Sequence, residues 1–168
     1  GCRNPQAAIA LQALQADYPE RCKVIELDVV DERSLQLAAG NILDALDLLV
    51  CNAGVQNGYG GMSAEENTME SFQTVLVTNT ASPFFTTRAF LPHLRKISGQ
   101  AKVAIISSLM GSQTHTAANA YAYRASKAGA NNIAVTLSHE LAKEDIAVGS
   151  YHPGWVRTDM GGPNGDIS

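Results

Sequence analysis

Tyr123 and Lys127 stand four residues apart in the run Tyr123-Arg124-Ala125-Ser126-Lys127. On a helix that spacing puts both side chains on one face, about one turn from each other. A free phenol, with a pKa of about 10, keeps its proton at neutral pH. A neighbouring ammonium favours the phenolate and lowers that value, which makes the tyrosine a usable acid or base. Tyr121 has Ala125 where Tyr123 has the lysine, so Tyr123 is the candidate. About fifteen residues before Tyr123, an apolar run over 102–107 that reads as a strand ends in Ser107-Ser108-Leu109-Met110-Gly111. A hydroxyl there is placed to hydrogen-bond a substrate carbonyl, because open parallel sheets bind ligands beyond the carboxyl ends of their strands.

Other segments end in the same kind of place. The apolar run 47–51 leads into Asn52-Ala53-Gly54, where small residues let backbone approach a ligand. The run 146–151 leads into His152-Pro153-Gly154-Trp155-Val156-Arg157-Thr158. Asn79 interrupts a helical stretch in which Asn is a poor former, so its side chain is expected to hold a bend or a water. Each feature alone has an ordinary explanation as a turn or a solvated side chain. Their fall on one edge of one sheet does not. Two other patterns drop out: Gly58-Tyr59-Gly60-Gly61 opens no helix at once and lacks the Lys-Ser/Thr of a phosphate loop, and no G-x-S-x-G elbow supports a Ser-His-Asp hydrolase. The four histidines show no ligand spacing, so no metal is expected; His115, between Ser108 and Tyr123, is the one placed to touch substrate.

The elements that must position these residues alternate. Helices are expected over 6–17, 31–43 (with Asp31 as N-cap), 64–78 (opened by Ser63, with Glu65 and Glu66 suiting the dipole), 83–96 and 120–143. Strands are expected over 23–29, 47–51, 102–107 and 146–151. Strands read as continuous apolar runs between helices, which indicates a parallel sheet with helices on both faces.

The chain has 168 residues, 45% hydrophobic and 17% charged, with a formal net charge of −4. Mild acidity argues against a nucleic-acid surface or a basic membrane-binding face. The apolar runs are far short of the ~20 residues of a membrane span. Cys2, Cys22 and Cys51 form no C-x-x-C and no disulfide framework, and no secretion signal opens the chain. A cytoplasmic protein is expected.

Leu27-Asp28-Val29, Asn52-Ala53-Gly54, Asn79, Ile106-Ser107-Ser108, Tyr123-x-x-x-Lys127 and Pro153-Gly154 through Thr158 occur in an order that resembles a classical short-chain dehydrogenase/reductase. The pattern is most similar to the sniffer and C-factor-like carbonyl reductase branch. The resemblance implies a Rossmann-type doubly wound sheet and an oxidoreductase moving hydride between NADP(H) and a carbonyl or secondary alcohol. It implies Tyr123 as general acid/base, Ser108 polarising the carbonyl, Lys127 lowering the tyrosine pKa and holding the nicotinamide ribose, and Asn79 positioning a relay water. Asp28 and Val29 match the adenine pocket, and Asn52, Ala53 and Gly54 lie beside the cofactor. Pro153, Gly154, Val156 and Thr158 match the nicotinamide end. Arg3, in a start without an acid, favours NADP(H) over NAD(H). A homodimer or homotetramer through the long helices is also implied.

The family's T-G-x-x-x-G-x-G turn is not in the sequence. The chain is therefore expected to be part of one NAD(P)-binding domain, without its first two strands, its glycine-rich loop and its C-terminal elements. In the strand order 3-2-1-4-5-6 this opens a gap in the middle of the sheet. Two other readings stand beside the reductase: a non-catalytic scaffold or binding protein, and an epimerase or dehydratase using the same Tyr-x-x-x-Lys pair.

Overall fold

The computed structural model describes residues 1–42 and 44–167. Leu43, where the sequence ends its second helix, and Ser168, at the end of the tail, lie outside the described residues. Three parallel strands, β1 (Leu48–Cys51), β2 (Ala101–Ile106) and β3 (Ile146–Tyr151), form one sheet in the order β1-β2-β3. The helices are α1 (Ile9–Asp17), α2 (Glu32–Gly40), α3 (Met69–Leu76), α4 (Ser82–Leu94) and α5 (Tyr121–Leu141). This is the incomplete α/β sheet that the sequence pattern implies.

The core follows from residue spacing. Along α5, Ala130, Ala134, Leu137 and Leu141 make one apolar stripe, and it packs on Val103, Ile105 and Ile146 of the sheet. Small alanines let the helix come close to the strands. Register carries Cys51 opposite Ile105 and Ile106 opposite Tyr151, so the three strands reach their carboxyl ends at nearly the same level.

Among the described residues the helices cover one sheet face. The other face, where the sequence pattern expects helices as well, stays half exposed at Leu48, Val50 and Tyr151.

Several boundaries differ from expectation for local reasons. The first helix starts at Ile9, after a turn in which the Asn4 side chain accepts from Ala7 N. Asp31 caps α2 as expected, its carboxylate accepting from Arg33 N at 2.8 Å. The third helix starts at Met69, not at residue 64. Thr68 is its cap, accepting from Ser71 N at 3.0 Å, while Glu66 turns back to accept from Gly60 N at 2.9 Å. The next expected helix, over 83–96, is α4, joined to α3 through a π-turn, Val77–Ala81. The expected strand over 23–29 is reduced to one parallel bridge, Cys2 with Glu26, because a strand needs a neighbour of matching length to hydrogen-bond. Between that bridge and the free edge of β1 lies an apolar trough of about 390 Å³, walled by Ile25, Leu27, Leu49 and Phe90. The expected gap in the sheet is there.

Candidate active site

Beyond the carboxyl end of β2, Ser107 is buried and its hydroxyl donates to the Lys127 carbonyl at 3.2 Å. Ser108 continues in extended conformation and caps a short 3₁₀ turn, Leu109–Gly111, by accepting from Met110 N at 3.1 Å. Gly111 seats that turn directly on α5: a Cβ there would lie 2.6 Å from the Lys127 carbonyl carbon and 2.8 Å from Ala128 N. No other residue type allows so close an approach. Ser108 is thereby held against the turn of α5 that carries Tyr123 and Lys127.

The other side of that turn is held by the π-turn. Such turns place an extra residue in a helix and often occur at functional sites. Asn79 sits in it, 1% exposed, with its side chain fully engaged. Its Oδ1 accepts from Val55 N at 2.8 Å, and its Nδ2 donates to Val55 O at 2.8 Å and to Ser126 Oγ at 2.9 Å. Ser126 Oγ in turn donates to the Tyr123 carbonyl at 2.7 Å. The Asn79 side chain thus ties the π-turn to the loop after β1 and to α5. Ser126 is a residue that sequence reasoning passed over, although it lies inside the quoted motif. Its signal was a serine in mid-helix facing the same way as Lys127's neighbours, where such hydroxyls bond to a backbone carbonyl one turn back.

Lys127 is 4% exposed. Its Nζ donates to the Ile106 carbonyl at 2.8 Å and lies 5.5 Å from the centroid of the Tyr123 ring. A Cβ on Gly54 would be 3.5 Å from that Nζ and 3.4 Å from Asn79 Oδ1, so the small residue leaves backbone beside both. Burial pushes the Lys127 ammonium below its ordinary value.

The expected lowering of Tyr123 is corrected here. Burial pushes its phenol up, against the pull of a hydrogen bond with the Ser108 side chain, and the nearby Tyr59 phenol adds to the rise. The lysine faces the ring and the Ile106 carbonyl, and desolvation of the phenolate prevails.

The remaining candidates divide into two groups. Asn52 and Ala53 follow β1, and with Val29 they border the trough. Asp28 is partly buried; its backbone N–H donates to Ser34 Oγ at 2.8 Å and its Oδ1 accepts from Val30 N at 3.1 Å. Arg3 is exposed, directly after the Cys2–Glu26 bridge and apart from the Tyr123 cluster. Past β3, Pro153 is exposed and Gly154 adopts φ +86°. Val156 bridges to Ile167, and Thr158 caps a turn by accepting from Gly161 N at 3.1 Å. The structure thus brings Gly54, Asn79, Ser108, Tyr123 and Lys127 together. Arg3, Asp28 and Val29 on one side, and the segment 153–158 past β3 on the other, are not part of that cluster.

A family model described as short chain dehydrogenase matches residues 2–166. The chain belongs to the short-chain dehydrogenase family. Within that family it is 37% identical over 163 residues to an uncharacterised oxidoreductase of Schizosaccharomyces pombe, covering 94% of this chain and 62% of the relative. The chain thus spans less than two thirds of that relative's length. It is similar in structure to the carbonyl reductase Sniffer of D. melanogaster, with a TM-score of 0.92 and 29% identity over 99% of this chain and 72% of the other. It is also similar to the NADPH-bound carbonyl reductase from chicken fatty liver, with a TM-score of 0.87 and 32% identity over 96% and 69% of the two chains. The expected sniffer-like branch of this dehydrogenase family is supported by both. Among the described residues no helix is long and apolar enough to cross a membrane.

Proposed function

We propose that the protein containing this chain is an NADP(H)-dependent carbonyl reductase, able to run in reverse on a secondary alcohol. The observation that carries this reading is geometric: the half-buried Tyr123 phenol has the Ser108 hydroxyl within hydrogen-bond reach and Lys127 Nζ 5.5 Å from its ring, all at the carboxyl end of β2. A protonated Tyr123 is the acid that carbonyl reduction needs, because the carbonyl oxygen gains a proton as its carbon gains a hydride. Ser108 holds that oxygen against Tyr123, so the bond is polarised toward the acid. The nicotinamide supplies the hydride when bound.

The residues present fit that cofactor. Gly54 leaves room beside Lys127 Nζ, whose remaining two protons suit ribose hydroxyls; Asn52, Ala53, Pro153, Gly154, Val156 and Thr158 would complete the contacts to the cofactor. Asp28 and Val29 suit the adenine, and Arg3 suits a 2′-phosphate better than a 2′-hydroxyl. The NADPH-bound neighbour supports the same preference. The exposed apolar residues Met69, Leu76, Val77 and Val135 on α3, the π-turn and α5 support assembly as a dimer or tetramer.

We also propose that residues 1–168 are the inner part of a domain of about 250 residues, a size usual for single α/β domains. The trough beside β1 supports this. A native protein no heavier than this chain would overturn it. The function is tested in the full-length protein by NADPH consumption over a panel of aldehydes and ketones. Tyr123→Phe is expected to abolish turnover and to leave NADPH affinity within about threefold. Turnover surviving that substitution would refute the reading.

A further inference from the structure

The loop between Ser108 and Tyr123 has few attachments of its own. Residues 113–118 are all exposed; near its start Ser112 N donates to the Leu109 carbonyl at 3.0 Å, and the Ser112 hydroxyl bonds the Thr114 hydroxyl and N–H. Its far end is gripped by one side chain. Arg124 Nη1 donates to the His115 carbonyl at 2.8 Å, and Nε donates to the Asn119 carbonyl and Oδ1 at 3.1 and 3.2 Å. A guanidinium can do this because its N–H groups point out in fixed, coplanar directions and reach two carbonyls four residues apart.

The grip acts where the backbone is strained. Ala120, the residue before α5, is 2% exposed and adopts φ 49°, ψ 45°. A residue with a Cβ is strained in that region and persists there only where its surroundings enforce it. Arg124 holds the segment immediately before Ala120, and its own N–H donates to the Ala120 carbonyl at 2.9 Å.

The gripped loop also meets a second loop. A Cβ on Gly61 would lie 3.6 Å from the Ala118 carbonyl, so the 58–61 loop abuts the 112–120 loop. The 58–61 loop carries Tyr59, whose phenol is near enough to Tyr123 to affect it. Glu66 fixes that loop in turn through Gly60 N. The 58–61 loop thus lies beside Tyr123, and the 112–120 loop, which joins Ser108 to Tyr123, abuts it. One is anchored by Glu66 and the other by Arg124.

We propose that Arg124 is a positioning residue for carbonyl reduction: by fixing His115 and Asn119 it holds the 112–120 loop as the substrate-side wall of the Ser108–Tyr123 pair. This rests on the function proposed above. Arg124 makes no contact with the reacting groups and acts through the loop. Ser108, Tyr123 and Lys127 keep their own anchors in Gly111, Ser126 and Ile106. Loss of the grip therefore weakens substrate capture and spares the chemical step.

The test uses the full-length protein, with Arg124→Ala and Arg124→Lys. Arg124→Ala is expected to raise KM for the carbonyl substrate roughly tenfold, with kcat within about threefold and KM for NADPH unchanged. Arg124→Lys, which keeps the charge without the fork, is expected to fall between. Hydrogen exchange is read on the same proteins, and amides 113–119 should exchange faster in Arg124→Ala while those of α5 do not. A role confined to starting α5 would instead lower kcat and melting temperature together and leave the carbonyl KM alone; that result overturns the proposal, as does an unchanged KM with an unchanged loop. If Arg124→Ala does not fold, Arg124→Lys carries the same comparison. A wild-type protein that turns over none of the panel refutes the proposed function, and with it the role of Arg124 in reduction.

Discussion

Gly111→Ala is a one-methyl change that should disable a site whose reacting side chains it does not touch. The new Cβ would sit 2.6 Å from the Lys127 carbonyl carbon and 2.8 Å from both Lys127 O and Ala128 N, whereas ordinary contact begins at 3.4 Å. The shortfall is about 0.8 Å, and the obstructing atoms are helix backbone, which cannot swing aside as a side-chain tip would. The turn Leu109–Gly111 must therefore lift off α5, and it takes Ser108 with it. Overpacking of this kind costs about 1–3 kcal/mol of stability. A displacement near 1 Å between two cooperating groups costs up to about 100-fold in rate. We expect kcat of the full-length protein to fall roughly 30- to 100-fold, with NADPH affinity nearly unchanged. The assay is NADPH consumption at saturating carbonyl, with the melting temperature measured alongside. Gly40→Ala is the control, because nothing lies within 4 Å of its Cβ and it ends α2 in helical conformation; it should be neutral or slightly stabilising. A Gly111→Ala protein with kcat within twofold of wild type and an unchanged melting temperature would refute the argument that this contact sets Ser108.

Two further outcomes follow from titration. Since the folded value of Tyr123 lies above its ordinary 10.0, the phenol keeps its proton to higher pH than a free one. Carbonyl reduction should therefore hold its rate as pH rises toward 10, while alcohol oxidation, which needs the phenolate, should climb through the same range; a reduction rate already falling near pH 8 would contradict this. The raised value also means that this group's contribution to stability is complete below 10 and is lost as pH rises beyond it. Cys51 is buried with its thiol pushed up to about 11, so roughly 0.1% is thiolate at pH 8. Alkylation at that pH should modify Cys2 and Cys22 and spare Cys51 until the protein unfolds, as peptide mass mapping would show.

The parts of this site that were legible depend on short-range periodicity. Tyr123 and Lys127 reveal themselves by a four-residue interval, and Ser108 by following an apolar run. What was not legible depends on partners distant in sequence. Residues 23–29 look like a strand, yet they pair only at Glu26, since strand formation is a property of two segments. Glu65 and Glu66 look like first-turn acids of a helix. Glu66 is drawn instead to Gly60 N, and Thr68 takes over the cap. The spacing of Tyr123 and Lys127 likewise shows that they are neighbours but not the sign of the pKa shift, because burial enters only when the fold closes.

The π-turn at Val77–Ala81 has an evolutionary meaning. An α-helix turns about 100° per residue, and a π-turn absorbs one residue beyond that regular count. Point substitution neither adds nor removes a residue, so this feature belongs to insertion and deletion. Removing any one residue from the turn would restore an unbroken helix and rotate one flank by about 100° relative to the other. Asn79 would lose Val55 and Ser126 together, or α3 would lose its seat against α5. A lineage can therefore change the residues of this helix one at a time, but it cannot drift by small steps out of the bend that holds them.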